Sequence, residues 1–503
     1  MVRRGEAMST SFHGRSYDFV EYVPCHNWIG GEWSPATDGQ TLDVVNPRHG
    51  AVMGSVAMSG ATDVARAVSA ASAALTAWRE TPMKERGQVF YRLKRLMTDN
   101  LEELSWLVSH ENGKTIAQAR GSVLKAIECV EMGTALPNMA AAGQLDVSRG
   151  VNCSTTYEPL GVVAGIVPFN FPMMVPLWMI PQALVAGNTF VLKPSEQVPY
   201  SAMRLASLFK EAGLPDGVLN IVNGGRETVE ALADHPDIKA LGFVGSSRVA
   251  KLVYARGAAA SKRVLCLGGA KNHLVLVPDA DLELSAGNIT ASFVGCAGQR
   301  CMAASVLLAV GEVQPVIDAI AEQARSVVLG QDMGAIINPA SVARITRYID
   351  EAERMGATVV VDGRGARVPG APGNWVGPTL IDHCTGEMPA SCEEIFGPVL
   401  SIRRVATLDE AITIENASPY GNAAAIFTTS GGVARYALER FQAGMCGVNI
   451  GVPVPREPFS FGGWNDSKIG HGDMTGFDGF RFWTRARKVT TKWALQSDWT
   501  WMS

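Results

Sequence analysis

The chain has 503 residues, 47% hydrophobic and 18% charged, with a formal net charge of −4. That length is too great for one ordinary core and suits two or three domains, and the slight acidic excess offers nucleic acid no global basic field. Nine scattered cysteines without a C-x-x-C pair argue against a disulfide framework or a structural zinc site, so a metal-free protein of a reducing, cytoplasmic compartment is expected.

Residues 1–8 carry two arginines but no apolar stretch follows them, and they do not read as a secretory signal. Residues 28–33, Trp-Ile-Gly-Gly-Glu-Trp, predict a hairpin turning on glycine. Thr62 and Asp63 are expected to cap a helix whose apolar positions Val64, Val68, Ala71, Leu75 and Trp78 fall at helical spacing. Val89, Phe90, Leu93, Leu96 and Met97 continue that period in a second helix; a third is expected over 104–110 and a fourth over 123–132. Residues 159–192 hold no charged side chain and are long enough to span a bilayer. Pro168, Pro172, Pro176 and Pro181 would break the single helix a span requires, so a buried strand, loop, helix and strand are expected instead. From residue 162 onward, β-like runs at 162–167, 189–192, 218–222 and 240–244 alternate with helical segments such as 201–212 and 228–233. Such alternation implies a parallel sheet with crossover helices. A second α/β pattern covers 272–452, and the tail over 487–493 reads as an extended strand. No repeat or low-complexity linker separates these parts, so they are expected to pack together.

The glycine fingerprint G-x-G-x-x-G of dinucleotide folds is missing. Gly245 and Ser246 nonetheless stand at a strand-to-helix turn, where backbone N–H groups and the helix dipole favour a phosphate, although a plain N-cap reads the same way. Lys193 and Glu196 follow another strand and, taken alone, are equally a solvated loop. Asn170, between Pro168 and Pro172, is either a turn residue or a donor aimed into a site. Cys301 has Arg300 beside it in Gly298-Gln299-Arg300-Cys301-Met302, a setting that separates it from the other cysteines, of which Cys296 is the nearest decoy.

Taken in order, these blocks resemble the aldehyde dehydrogenase superfamily over nearly the whole chain, from about Trp28 to Trp493. Pro-Phe-Asn-Phe-Pro at 168–172, Gly-Ala-Lys-Asn-His at 269–273 and Gly-Gln-Arg-Cys-Met-Ala at 298–303 are most similar to its CoA-acylating methylmalonate- and malonate-semialdehyde members. The resemblance implies an α/β fold with an open parallel-sheet NAD-binding domain (1–145 and 162–271), an α/β catalytic domain (272–465) and a small β oligomerisation element (146–161 and 484–503). It implies Cys301 as nucleophile and Asn170 as oxyanion donor. Val167, Phe169, Lys193, Glu196, Gly245, Ser246, Gly268, Glu394 and Phe396 are implied at the cofactor, with NAD preferred to NADP because Glu196 would repel a 2′-phosphate. In hydrolytic relatives the block Leu267-Gly268-Gly269-Ala270-Lys271-Asn272-His273 opens with a glutamate that activates water, where this chain has Leu267. A nucleophile without that base points to acyl transfer to CoA, with malonate or methylmalonate semialdehyde decarboxylated to acetyl-CoA or propionyl-CoA. Arg300 and, after a one-residue gap, Lys125 fall where two arginines hold the substrate carboxylate in those members; lysine keeps the charge and loses the bidentate fork. Pro455-Arg456-Glu457-Pro458-Phe459-Ser460-Phe461 carries a charge pair where relatives are usually apolar. The expected partners are an aldehyde, CoA and further copies of the chain, as a dimer or tetramer, with neither nucleic acid nor membrane. Two alternatives stay open: a hydrolytic NAD(P)-dependent enzyme recruiting another base such as Glu394, and a silent structural relative.

Overall fold

Unbroken runs of Val, Ile and Leu become interior strands because helices cover both faces of a parallel sheet. The computed structural model describes residues 22–140 and 143–493; residues 1–21, with the N-terminal segment read above, and 494–503 of the expected arm lie outside the described residues. In the first sheet Leu219–Ile221, Thr189–Lys193, Val162–Ile166, Ile238–Val244 and Arg263–Leu267 lie side by side and parallel. The hairpin of Asn27–Ile29 and Glu32–Ser34 closes one edge. Lys468–Ile469, from a part of the chain to which the sequence had assigned no element, closes the other. The second sheet runs Thr358–Val361, Thr379–Asp382, Val399–Val405, Ala304–Val310, Asn272–Leu276, Ala423–Phe427 and Met445–Val448, with only the first strand antiparallel. A third sheet joins Thr484–Lys492, Val151–Pro159 and Gln144–Ser148, the last of which crosses the boundary expected at residue 145.

The apolar stretch 159–192 forms a strand, a loop, the wholly buried helix Met174–Val185 and another strand. Among the described residues no helix is long and apolar enough to cross a membrane. Two helices depart from expectation. Thr62 and Asp63 do not cap the first, which spans Ala61–Glu80 with Gly60 at the N-cap and no side chain bonded there. Asp63 sits inside the first turn, where the helix dipole favours a carboxylate, and accepts from the Thr37 N–H and hydroxyl and from Arg66. The fourth helix runs over Ile116–Met139, starting at Thr115, whose side chain accepts from the Gln118 N–H. Its ends lack a clear apolar period, which hid them from the sequence pattern.

The parallel strands of the first sheet end at Ile166, Lys193, Val244 and Leu267, whereas those of the second begin at Asn272, Ala304, Val399 and Ala423. Residues 268–271 cross directly from the one set of ends to the other. A crevice bordered by carboxyl ends of parallel strands is where open α/β sheets bind ligands.

Candidate active site

The turn before Cys301 is wound against the grain of L-residues. Cys296 and Ala297 both have φ 54° and Gly298 has φ 67°, three left-handed residues in succession. For the two non-glycines such backbone costs on the order of 1–3 kcal/mol each and persists only where the surroundings impose it. The surroundings here are close: a Cβ on Gly298 would collide with the carbonyl of Gly397. That contact presses the Cys301 turn onto the block of Glu394 and Phe396. Two asparagines then hold the backbone of Cys301, since Asn272 Nδ2 donates to the Cys301 carbonyl at 2.7 Å and Asn422 Nδ2 to the same oxygen at 2.9 Å.

Cys301 is partly exposed and lines a narrow cavity with Glu394, Arg300, Lys271 and Phe396. Burial, and next the Glu394 carboxylate, push its thiol up to about 12; the N–H groups of Cys301 and Met302 and the Arg300 cation pull it back. Glu394 is itself raised by burial, against a hydrogen bond from the Ala270 N–H at 2.9 Å. His273 is buried and pushed down to about 3, chiefly by desolvation, which makes it a neutral core residue.

Asn170 is 4% exposed, on the loop that follows Val162–Ile166. Asn112 Nδ2 donates to the Phe169 carbonyl at 2.9 Å, and the Lys114 ammonium donates to the carbonyl of Asn170. Phe169 meets Phe396 edge to face at 5.8 Å, which brings together two blocks far apart in sequence. Val167 is buried, its N–H bonded to the Lys193 carbonyl at 3.1 Å.

Among the candidate cofactor residues, Lys193 and Glu196 form a 2.9 Å ion pair at the end of Thr189–Lys193. Ser246 is the N-cap of Ser247–Ala259, and no side chain bonds over the first N–H groups of that helix, which leaves them for an anion. The Gly245 N–H is not among those donors, because it bonds the Leu267 carbonyl at 3.1 Å. Gly268 sits under Asp466 and Ser247, and a Cβ there would come within 2.8 Å of the Asp466 carbonyl.

The two candidate substrate cations are both engaged. Arg300 Nη2 donates to the Ala291 and Ser292 carbonyls at 2.6 and 3.0 Å, the last turn of Leu282–Val294, where a cation suits the helix dipole. Lys125 Nζ lies 2.8 Å from Glu457 and 2.9 Å from Glu128, so the unexpected acid of the 455–458 segment is its partner. Leu267 is 3% exposed and belongs to the apolar cluster against which Cys301 packs.

Sequence reasoning missed Asn422, Asn112 and Lys114, and used Asn272 only to set spacing. These residues act on backbone carbonyls of distant loops, and such roles leave no local pattern. The faint signal was Asn112-Gly113-Lys114, a polar turn between two apolar helices.

A profile of the aldehyde dehydrogenase family matches residues 33–489. A malonate-semialdehyde dehydrogenase of Geobacillus kaustophilus is 45% identical over 475 residues, 93% of this chain and 98% of that protein. The crystal structure of a methylmalonate-semialdehyde dehydrogenase from Oceanimonas doudoroffii matches with a TM-score of 0.92 at 40% identity, covering 94% of this chain and 99% of that one. A Sinorhizobium meliloti protein assigned the same activity, in complex with NAD, also matches with a TM-score of 0.92 at 39% identity, covering 94% of this chain and 99% of that one.

Proposed function

The chain belongs to the aldehyde dehydrogenase family and is an NAD-dependent enzyme of it, and on that premise we propose that it oxidises malonate or methylmalonate semialdehyde and passes the acyl group to CoA with decarboxylation. The observation that carries this reading is Leu267, an apolar residue packed in the cluster that Cys301 joins, in the register of the hydrolytic base. The names of the relatives support the substrate class.

The residues present fit a dinucleotide: an uncapped helix start at Ser246, a glycine at 268 with no room for a side chain, and the Lys193–Glu196 pair at a strand end. Glu196 and Lys193 would hold the adenosine ribose, the start of Ser247–Ala259 a phosphate, and Glu394 and Phe396 the nicotinamide end. When bound, NAD supplies a hydride acceptor. The Cys301 thiol, partly exposed, passes its proton to water, and the thiolate adds to the aldehyde carbon. The carbonyl electron pair moves onto oxygen, where the Asn170 carboxamide and the Cys301 N–H donate to it. With NAD in place, collapse of that alkoxide would release hydride to it and leave the acyl group on Cys301 as a thioester. Leu267 cannot take a proton from water, so hydrolysis is slow. A thiol is a few per cent ionised near neutrality and intrinsically nucleophilic, so CoA needs less help. On the Cys301 thioester, loss of the β-carboxylate as carbon dioxide leaves an enolate held by the same donors; protonation at carbon gives the shortened acyl-enzyme, and attack by the CoA thiolate, with Cys301 as the leaving group, gives acetyl-CoA or propionyl-CoA. On the same reading the enzyme works in a reducing cytoplasm as a homo-oligomer of two or four copies.

Hydrolysis with Glu394 as base is the second reading, favoured by its raised carboxyl facing the thiol. One experiment separates the two. With malonate semialdehyde and NAD but no CoA, acyl transfer predicts a burst of about one NADH per site followed by a slow phase that CoA accelerates. Fast steady turnover to free acid without any thiol would refute it.

A further inference from the structure

We propose that Lys114 and Asn112 are positioning residues for aldehyde addition, a two-point clamp that holds the backbone of the Asn170 loop so that its carboxamide faces the developing oxyanion. The inference rests on the oxyanion role read for Asn170. Helix Leu101–Asn112 ends at Gly113, whose φ of 86° turns the chain back and sets Asn112 and Lys114 on the loop that follows Val162–Ile166. Asn112 binds the Phe169 carbonyl and Lys114 that of Asn170, so two successive peptide planes of one loop are gripped from one turn. The Lys114 ammonium also lies 3.7 Å over the Phe171 ring, which fixes the next residue along. A lysine at 3% exposure is costly unless its charge serves a purpose. Burial pushes this one down to about 8, so it remains mainly protonated at neutral pH. The clamp is tied in turn to the nucleophile's own segment. The Ala335 N–H donates to the Gly113 carbonyl at 2.9 Å, while Gln299 Nε2 donates to the Ala335 carbonyl at 3.1 Å, two residues before Cys301. Donor loop and thiol turn therefore share one scaffold.

The test compares Lys114→Met, Asn112→Ser and Asn170→Ala in the full chain. Three rates or constants are read: the single-turnover NADH burst, NAD dissociation, and alkylation of Cys301 by iodoacetamide, a displacement that forms no oxyanion. Lys114→Met is expected to slow the burst about tenfold or more and leave the other two within about twofold, since loss of one oxyanion donor costs about 10²–10³ in rate. In the Asn170→Ala background the same change should add less than about twofold, as residues acting through one group are not additive. Asn112→Ser, with a milder loss of the same kind, carries the test if Lys114→Met does not fold. A wild-type burst in both clamp variants beside a slow Asn170→Ala would overturn the clamp. A wild-type burst in Asn170→Ala would instead overturn the oxyanion reading. A parallel fall in alkylation would reduce the clamp to general support of the site and refute the specific role.

Discussion

The turn around Cys301 and the rim around Lys125 both bring polar groups to the apolar core of the first sheet, and they are held in opposite ways. At the turn, neutral amides from Asn272 and Asn422 grip a backbone carbonyl, and a run of three left-handed residues ends at Gly298, which lies close against Gly397. At the rim, Lys125, Glu457, Glu128 and Arg456 satisfy one another through charge, partly open to solvent. Backbone-directed bonds between buried neutral groups fix a geometry at any pH and with any substrate. Charge pairs can be re-partnered by one substitution. On the proposed reading, the chemistry would sit where the structure cannot easily vary, and substrate choice where it can.

The comparison breaks most completely if the nucleophile is elsewhere. Cys301→Ala is expected to abolish NADH formation, whereas Cys296→Ala, which removes a buried thiol from the wedge, should retain it; equal losses would reduce both to packing residues. The next effect is on pH. With the thiol pushed up to about 12, its reactive anion is scarce at neutrality. Alkylation of Cys301 in the free enzyme should rise about tenfold per pH unit between 7 and 10, because thiolate grows in that proportion below the pKa. A plateau below pH 9 would contradict the burial and Glu394 field that cause the shift. Asn422→Ala removes one of the two grips on the Cys301 carbonyl. Because Asn272 still serves that carbonyl, the change should cost only about 0.5–1.5 kcal/mol in stability, and about 10- to 100-fold in kcat by loosening the turn. Unfolding midpoints and single-turnover rates check the two numbers separately. The smallest effect belongs to the rim. Glu457→Gln frees Lys125 from one carboxylate and should raise the kcat/KM ratio of malonate semialdehyde over propanal about 3- to 10-fold, about 0.7–1.4 kcal/mol. Stability should shift by about 1 kcal/mol or less, as for other partly exposed pairs. An unchanged ratio would mean that Lys125 never meets the substrate.

Four strands of the first parallel sheet were legible because they carry unbroken apolar runs, whereas of the second sheet only a general α/β pattern over 272–452 was read. The prolines of 159–192 correctly separated a buried strand–helix–strand from a membrane span. The start of the first helix was misread because an acid in a first turn looks in sequence like a cap. The length of Ile116–Met139 was underestimated because its ends have no clear stripe.

At the candidate site, the sequence alone supplied the residue types and their order: a cysteine beside an arginine, an asparagine between prolines, and a leucine where the family resemblance implies a base. Those are properties of single short segments. Only the tertiary structure decided which charges are spent. It turned Arg300 onto helix carbonyls, paired Lys125 with Glu457, used the Gly245 N–H within the sheet, and set Lys114, Asn112 and Asn422 on backbone carbonyls. The reason is physical. A carbonyl acceptor is present at every residue and leaves no mark in the amino-acid alphabet, so its donor is known only when the chain has folded and the buried groups have found their partners.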